Sequence, residues 1–272
     1  MQTTKNETVL ANNIFTNHKK NKMKKIFMTV MMFALAGIGA VEAQNNFSLH
    51  LGVALPTSDY ADATADYSNG VLRYGLMDNT KKGGAGTGFT AGMQYKIGIN
   101  SVKGLGVIVS ADVFFNSVNS DVRDFFDEWI DDNESSNYEV DFTLPYYLHI
   151  PVMVGLNYTY DIKDNIALFG EGALGANVRI LTGLEYYQAT ATQEMIQTVS
   201  YDVATSFAFR IGCGLCLNKK YTIGINYYNH GTAKVTGEWT SEINGVTQPG
   251  HNKLKGGKIA ANNVAIRFGI NF

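Results

Sequence analysis

Cysteine is almost missing from this chain: Cys213 and Cys216 are the only two in 272 residues. A small secreted scaffold held by disulfides needs more. The pair forms CxxC, but no second CxxC or histidine pair is present to complete a zinc site. A redox pairing fails on geometry. Phe207, Phe209, Ile211, Cys213, Leu215 and Leu217 fall on one face of a strand, and Cys216 falls on the other with Arg210, Gly212 and Gly214. Residues three apart on a strand point to opposite sides, so the two sulfurs should not meet.

Long apolar runs and a basic excess are absent too. The one apolar run, Ile26–Ile38, is shorter than the about 20 residues a spanning helix requires. It follows Lys19, Lys20, Lys22, Lys24 and Lys25 and precedes the small-residue site Val41-Glu42-Ala43. That order is a secretory signal peptide, with Met23 as the expected start, cleavage before Gln44, and a retained N-terminal anchor as the weaker reading. Residues 1–43 hold six Lys and two acids of the 22 basic and 24 acidic residues, leaving 16 basic against 22 acidic and a net charge of −6. No nucleic-acid partner is expected of such a chain.

Proline is scarce, at 4, and helical periodicity nearly so, while Gly (28), Tyr (15) and Phe (15) are abundant. That balance predicts many strands, in one domain over 44–272. Eight runs alternate with period two. They are NFSLHLGVAL from Asn46, FTAGMQYKIGI from Phe89, LGVIVSADVFF from Leu105, FTLPYYLHIPVMVGLNYTY from Phe142, IALFGEGALGANVRI from Ile166, the cysteine strand, YTIGINYY from Tyr221, and NVAIRFGINF ending at Phe272. Pro145 and Pro151 interrupt the fourth, as bulges or as a sign that it begins nearer His149.

The connections alternate in length. Pro56–Thr87, Asn116–Asp141, Thr182–Asp202 and Asn229–Asn262 are long, whereas Asn100–Gly104, Asp161–Asn165 and Asn218–Lys220 are short turns. Sorting by parity predicts an all-β fold: an eight-stranded antiparallel up-and-down transmembrane β-barrel with short periplasmic turns and four long extracellular loops. One face of every strand is apolar. The other is small or polar, with the sparse charges Lys96, Asp112, Glu171, Arg210 and Arg267 expected at similar heights. In a narrow lumen these charges can pair, so the pattern reads apolar to lipid and polar to lumen. Tyr146, Tyr147, Tyr158, Tyr160, Tyr221, Tyr227 and Tyr228 are expected near the two interfaces.

A closed barrel needs its last strand paired with its first, which gives the terminal aromatic a reason. AIRFGINF, with Phe268, Ile270 and Phe272, resembles the C-terminal signal read by the barrel-assembly machinery of outer-membrane proteins. YYLHIPVMVGLNY resembles the strand with an internal Ile-Pro in the outer-membrane β-barrel domain family of Bacteroidota, PorT-like and of OmpA/OmpX size. The resemblance covers roughly Phe47 to Phe272 and implies a location in the outer membrane of a Gram-negative bacterium. It implies outer-membrane lipid and lipopolysaccharide as surroundings, and the assembly machinery as a partner during insertion.

Three further stretches bear on function. GGAGTG at Gly83–Gly88 lacks the Lys-Ser/Thr of a phosphate loop and leads into a strand, so it reads as a plain loop. DVRDFFDEWIDDNE places Val122, Phe125, Phe126, Trp129 and Ile130 at helical spacing, ringed by acids that do not match an EF-hand. A short extracellular helix is expected, packed on other loops or touching a ligand or partner. His50 and His149 face the lumen, but no Ser/His/acid set can be aligned around them. No cofactor, metal or catalysis is expected. The first reading is a structural or binding scaffold displaying its loops; the alternatives are a narrow solute channel and a lipid-modifying enzyme.

Overall fold

The computed structural model describes residues 46–62, 65–68, 71–74, 82–135, 138–249 and 252–272. All belong to the compact unit Gln44–Phe272. The export segment and the start at Met23 lie outside the described residues.

The described residues hold fourteen strands. The first seven are β1 (Asn46–Pro56), β2 (Ala65–Ser68), β3 (Val71–Tyr74), β4 (Ala85–Gly98), β5 (Leu105–Val118), β6 (Tyr138–Thr143) and β7 (Tyr147–Lys163). The rest are β8 (Ile166–Leu181), β9 (Leu184–Thr190), β10 (Glu194–Tyr201), β11 (Ala204–Leu217), β12 (Tyr221–Ile243), β13 (Val246–Thr247) and β14 (Asn252–Asn271). Eight of them close a ring of antiparallel neighbours in the order β1, β4, β5, β7, β8, β11, β12, β14 and back to β1. The seam between β14 and β1 is sealed to its end. Phe272 N donates to Phe47 O at 2.8 Å, Phe47 N donates to Phe272 O at 3.3 Å, and the two rings lie 6.3 Å apart. Closure leaves no unpaired edge in the wall.

Parity then sorts the side chains. Leu51 (67% exposed), Leu174 (55%), Ile225 (57%) and Phe268 (59%) point outward, while Asp112 (1%) and Arg210 (0%) are sealed inside. A water-soluble barrel would reverse that order. This is the inside-out arrangement of an outer-membrane β-barrel. Aromatic rings mark both rims. Phe89 stacks on Phe115 and Phe115 on Tyr146 at the long-loop end, and Tyr158, Tyr160 and Tyr221 are exposed at the short-turn end. Tyr147 and Tyr228 depart from the interfacial expectation, because both are buried inside. Each follows an outward tyrosine in sequence, and neighbours on a strand cannot share a face.

The long connections are not loose loops. β12 and β14 run on past the wall and, with β10, β9 and β6, form a sheet in the order β14-β12-β10-β9-β6. β12 changes course at Gly231, where φ is +78° and the register with β14 slips between Asn229 and Thr232. The expected continuous strand from Phe142 to Tyr160 is in fact two, broken over 144–146. Pro145 has no N–H for a ladder, and β6 leaves the wall to pair with β9. β2 and β3 form a separate hairpin within the first connection.

A helix, Ser120–Asn133, completes this cap. Asn119 caps it, accepting the Asp121 N–H at 2.9 Å. Val122 and Phe126 are buried, and Phe125, Trp129 and Ile130 are half-buried. Phe126 meets Phe142 edge-on at 4.6 Å, and Trp129 lies 5.4 Å from Phe142 and 6.0 Å from Tyr186. The helix thus docks its apolar stripe on β6 and β9 and leaves its acids in solvent. A core of Tyr60, Val118, Val122, Phe126, Tyr147, Leu181, Val199, Val235 and Ile259 joins the cap to the long-loop end of the wall.

Candidate functional site

The barrel interior is built in three layers. The middle layer holds the ionised groups. Arg210 on β11 and Asp112 on β5 approach to 3.3 Å (NH1 to Oδ2), and Arg267 on β14 donates NH2 to Glu171 Oε1 on β8 at 2.7 Å. Cross-pairs complete the square: Arg210 Nε lies 3.4 Å from Glu171 Oε1, an ion pair without a directed hydrogen bond, and Arg267 NH1 lies 3.6 Å from Asp112 Oδ1. Two arginines and two acids so enclosed sum to zero charge, which is the condition under which burial is tolerated.

Neutral groups finish the network. The Tyr228 hydroxyl accepts from Arg267 NH1 at 2.7 Å and from Arg210 NH1 at 3.1 Å, and itself lies 3.3 Å from Asp112 Oδ2. Gln94 accepts from Arg210 NH2 at 2.7 Å. Asn226 donates to Glu171 at 2.8 Å and accepts from Arg267 Nε at 2.8 Å. His50 Nε2 sits 2.5 Å from Asp112 Oδ1 and 2.9 Å from Arg267 NH1; protonated it donates to the carboxylate, and unprotonated it accepts from the guanidinium, so either tautomer serves one of the two contacts. Glycines make the room. A Cβ on Gly92 would fall 2.6 Å from His50 Nε2 and against the Asp112 carboxylate, and one on Gly212 would overlap the Asn226 amide. Ala54, Ile108, Phe114, Met153, Ala173, Ala208 and Ala265 pack around this layer.

Lys96 stands apart from the other four charges. Its ammonium donates to Gly104 O at 3.0 Å, Asn157 Oδ1 at 2.8 Å and Thr159 Oγ1 at 2.9 Å, nearer the short-turn end. The expectation of five charges at one height is corrected to four plus one. Strand tilt shifts facing residues along the axis, and counting from turns ignores it.

The layer on the long-loop side is aromatic and neutral apart from Arg179. Tyr60, from the short 3₁₀ turn Ser58–Tyr60, inserts into the mouth and sits 3.0 Å from His149 Nε2. His149 stacks on His230 at 4.6 Å, and Asn177 reaches both His149 Nδ1 and His230 O at 3.2 Å. Arg179 donates to Ile259 O at 3.0 Å and Gly231 O at 3.1 Å. The GGAGTG stretch anchors this mouth: Gly83 N donates to Asp59 O at 2.7 Å, and a Cβ on Gly83 would strike Tyr60.

The layer on the short-turn side is a vestibule. A cavity of about 220 Å³ lies there, with Asn157, Thr222, Lys219 and Phe169 in its wall and Glu171 and Arg267 at its closed end. Cys216 lines it, whereas Cys213 is exposed on the outer face, and both thiols are free. Among the described residues no group of three or more His, Cys, Asp or Glu side chains is placed to hold a metal ion.

Phe268 and Ile270 face outward on β14, and Phe272 closes the seam; Phe125, Phe126, Trp129 and Ile130 lie in the cap. Sequence reasoning missed Gln94, Asn226 and Tyr228. Their inward parity was available, since Gln94 shares a strand face with Lys96, and Asn226 and Tyr228 alternate with the apolar Ile223 and Ile225. Tyr60 had no such signal, because it lies in a connection.

No protein-family model matches the chain, and no curated protein matches it in sequence. Three solved structures of small barrels are similar. The attachment invasion locus protein Ail of Yersinia pestis is 14% identical over 85% of this chain and 100% of its own, with a TM-score of 0.31. Neisserial surface protein A is 9% identical over 85% and 96%, with a TM-score of 0.38. The outer membrane protein OprG from Pseudomonas aeruginosa is 12% identical over 85% and 97%, with a TM-score of 0.36. With scores this low, the architecture rests on the chain's own strand register.

Proposed function

We propose that this chain is a non-conducting, non-enzymatic scaffold of the Gram-negative outer membrane, whose barrel anchors a folded cap that acts as a binding surface outside the cell. The observation that carries the reading is the sealed interior. The Asp112, Glu171, Arg210 and Arg267 network fills the lumen with Arg210 wholly buried, and Tyr60 closes the outer mouth. An eight-stranded barrel has an interior just wide enough for side chains to fill. The cap is a packed sheet and helix rather than four free loops, which suits a surface of fixed shape.

The signal peptide directs export, cleavage precedes Gln44, and AIRFGINF is read by the barrel-assembly machinery as the barrel enters a membrane of lipid and lipopolysaccharide. The resemblance of YYLHIPVMVGLNY to the Ile-Pro strand of the PorT-like small barrels of Bacteroidota supports a kinship with them.

Planar-bilayer recording tests the reading. Purified protein should give no steady conductance. Steady currents that are abolished by Arg210→Ala or Glu171→Ala would make it a channel instead. Lipid A profiles should be the same in a deletion strain and its parent, and a lost lipid A species would make it an enzyme.

A further inference from the structure

The vestibule has no part in sealing the lumen, yet its wall is built with care. Phe169 is the one phenyl ring among its lining residues. Its Cζ lies 2.7 Å from where a Gly214 Cβ would stand and 3.0 Å from the same point on Gly224. Two glycines on adjacent strands therefore seat the tip of the ring against bare backbone, and the side chain lines the cavity. Around it stand hydrogen-bonding groups that the protein does not use. Among the described residues, the Thr222 hydroxyl, the Asn157 amide nitrogen and the Lys219 ammonium have no side-chain hydrogen-bond partner, and all three residues line the cavity. The Lys96 ammonium, by contrast, is saturated by three oxygens and holds Asn157 and Thr159 in place.

We infer that this vestibule binds a single pyranose sugar ring, entering from the short-turn end. The volume fits. A cavity of about 220 Å³ has room for one six-membered ring with its hydroxyls, or for about seven waters at roughly 30 Å³ each. The chemistry fits as well. The wall carries donors (the Asn157 amide and the Lys219 ammonium), acceptors (the Asp161 and Glu171 carboxylates) and the Thr222 hydroxyl, which is both, matching a ligand whose hydroxyls do both, while Phe169 offers an apolar surface to the ring's C–H side. An apolar ligand would strand the amides and hydroxyls, which strongly disfavours it. A simple anion would meet Glu171 and Asp161 as well as Lys219. This inference does not depend on whether the cap binds a partner or the lumen conducts.

Saturation-transfer NMR on the full barrel in lipid nanodiscs, free of sugar detergents, tests it with glucose, N-acetylglucosamine and glucuronate. At least one should receive saturation from the protein, and tetrahydropyran-2-methanol, the ring without its ring hydroxyls, should not. Phe169→Leu and the near-isosteric Thr222→Val should each weaken binding by about fivefold, the size of one lost contact. Phe207→Leu on the outer face should leave it unchanged. Heat-shifted gel mobility reports whether each variant is folded, and Thr222→Val serves should Phe169→Leu fail to assemble. A trisaccharide of N-acetylglucosamine that binds like the monomer identifies a glycan end as the source, and one that does not identifies a free sugar. Absence of transfer to all three sugars, or transfer unchanged in both variants, overturns the inference.

Discussion

Arg210 and Asp112 lie 98 residues apart in sequence and meet at 3.3 Å in the lumen, three strands apart round the ring, with neither side chain exposed. Each supplies the other with a buried counter-charge, beside the contacts that join His50 to Asp112 and Arg210 to Gln94. Removing the guanidinium in Arg210→Met leaves two carboxylates against one arginine, with Asp112 only 1% exposed. The expected cost is about 3–5 kcal/mol, the usual penalty for breaking a buried pair from one side. Urea unfolding in lipid vesicles, followed by circular dichroism of the strands, measures it. Charge loss at Lys103, whose partner Asp161 lies 3.4 Å away in solvent, should cost below about 1 kcal/mol.

Tyr228 tests whether the network is held by geometry as well as by charge. Its hydroxyl takes hydrogen bonds from both arginines, and each guanidinium carbon lies over its ring, at 5.5 Å for Arg210 and 5.6 Å for Arg267. Tyr228→Phe keeps the ring and removes the acceptor. Two buried N–H groups then lose their partner, and stability should fall by about 1–3 kcal/mol in the same unfolding assay. Tyr227→Phe, one residue away on the outer face, should be close to neutral.

Much of this was legible in the sequence, and the reason is period two. The eight ring strands, the outward apolar face and the inward charges each follow from alternation, because a closed barrel forces every residue to choose lipid or lumen. The cap was less legible. Asn244-Gly245, with φ of 50° and 71°, is a two-residue hairpin signal that places a turn inside what reads as one long loop. The break at Pro145 was visible only as an alternative. What no local pattern carries is the pairing of β6 with β9 or the seat of Tyr60 on His149. Both are contacts between distant segments whose own sequences are compatible with other partners.

The outward face makes a prediction about the solvent it meets. A tryptophan introduced at Leu51 or Ile266 should be quenched by lipids brominated in their tails, whereas one at Asn226, buried at 1% exposure, should not. The reverse pattern would turn the barrel inside in and remove it from the membrane. Leu51→Arg should destabilise the protein by about 2–4 kcal/mol in bilayers if Leu51 sits near the midplane.

The cap should come apart without the barrel. Phe126 is fully buried between the helix and β6, and its truncation in Phe126→Ala removes a large part of that contact. A loss of about 3–5 kcal/mol of local packing is expected, and it falls first on the ring contact of the helix with β6, at the cap side of the core that Phe126 shares with Val118 and Tyr147. Limited proteolysis should then cut within Ser120–Thr143 far faster than in the parent, while heat-shifted gel mobility of the barrel persists. Loss of both together would mean that cap and wall fold as one unit.

The seam gives the last prediction. β1 and β14 are the first and last ring strands, so their pairing needs the whole wall to be formed before it. Its final rungs are the two hydrogen bonds between Phe47 and Phe272, and the ring contact at 6.3 Å lies beside them on the outer face. Phe272→Ala keeps the backbone rungs and removes the rim aromatic, which costs little once the barrel is closed because that ring is 66% exposed. The effect should therefore appear in closing rather than in staying closed. Refolding into vesicles should slow several-fold while the unfolding rate hardly moves, the pattern of a contact already made in the transition state. Faster unfolding with unchanged refolding would place the seam late instead, with the terminal ring acting only as a clasp on a finished wall.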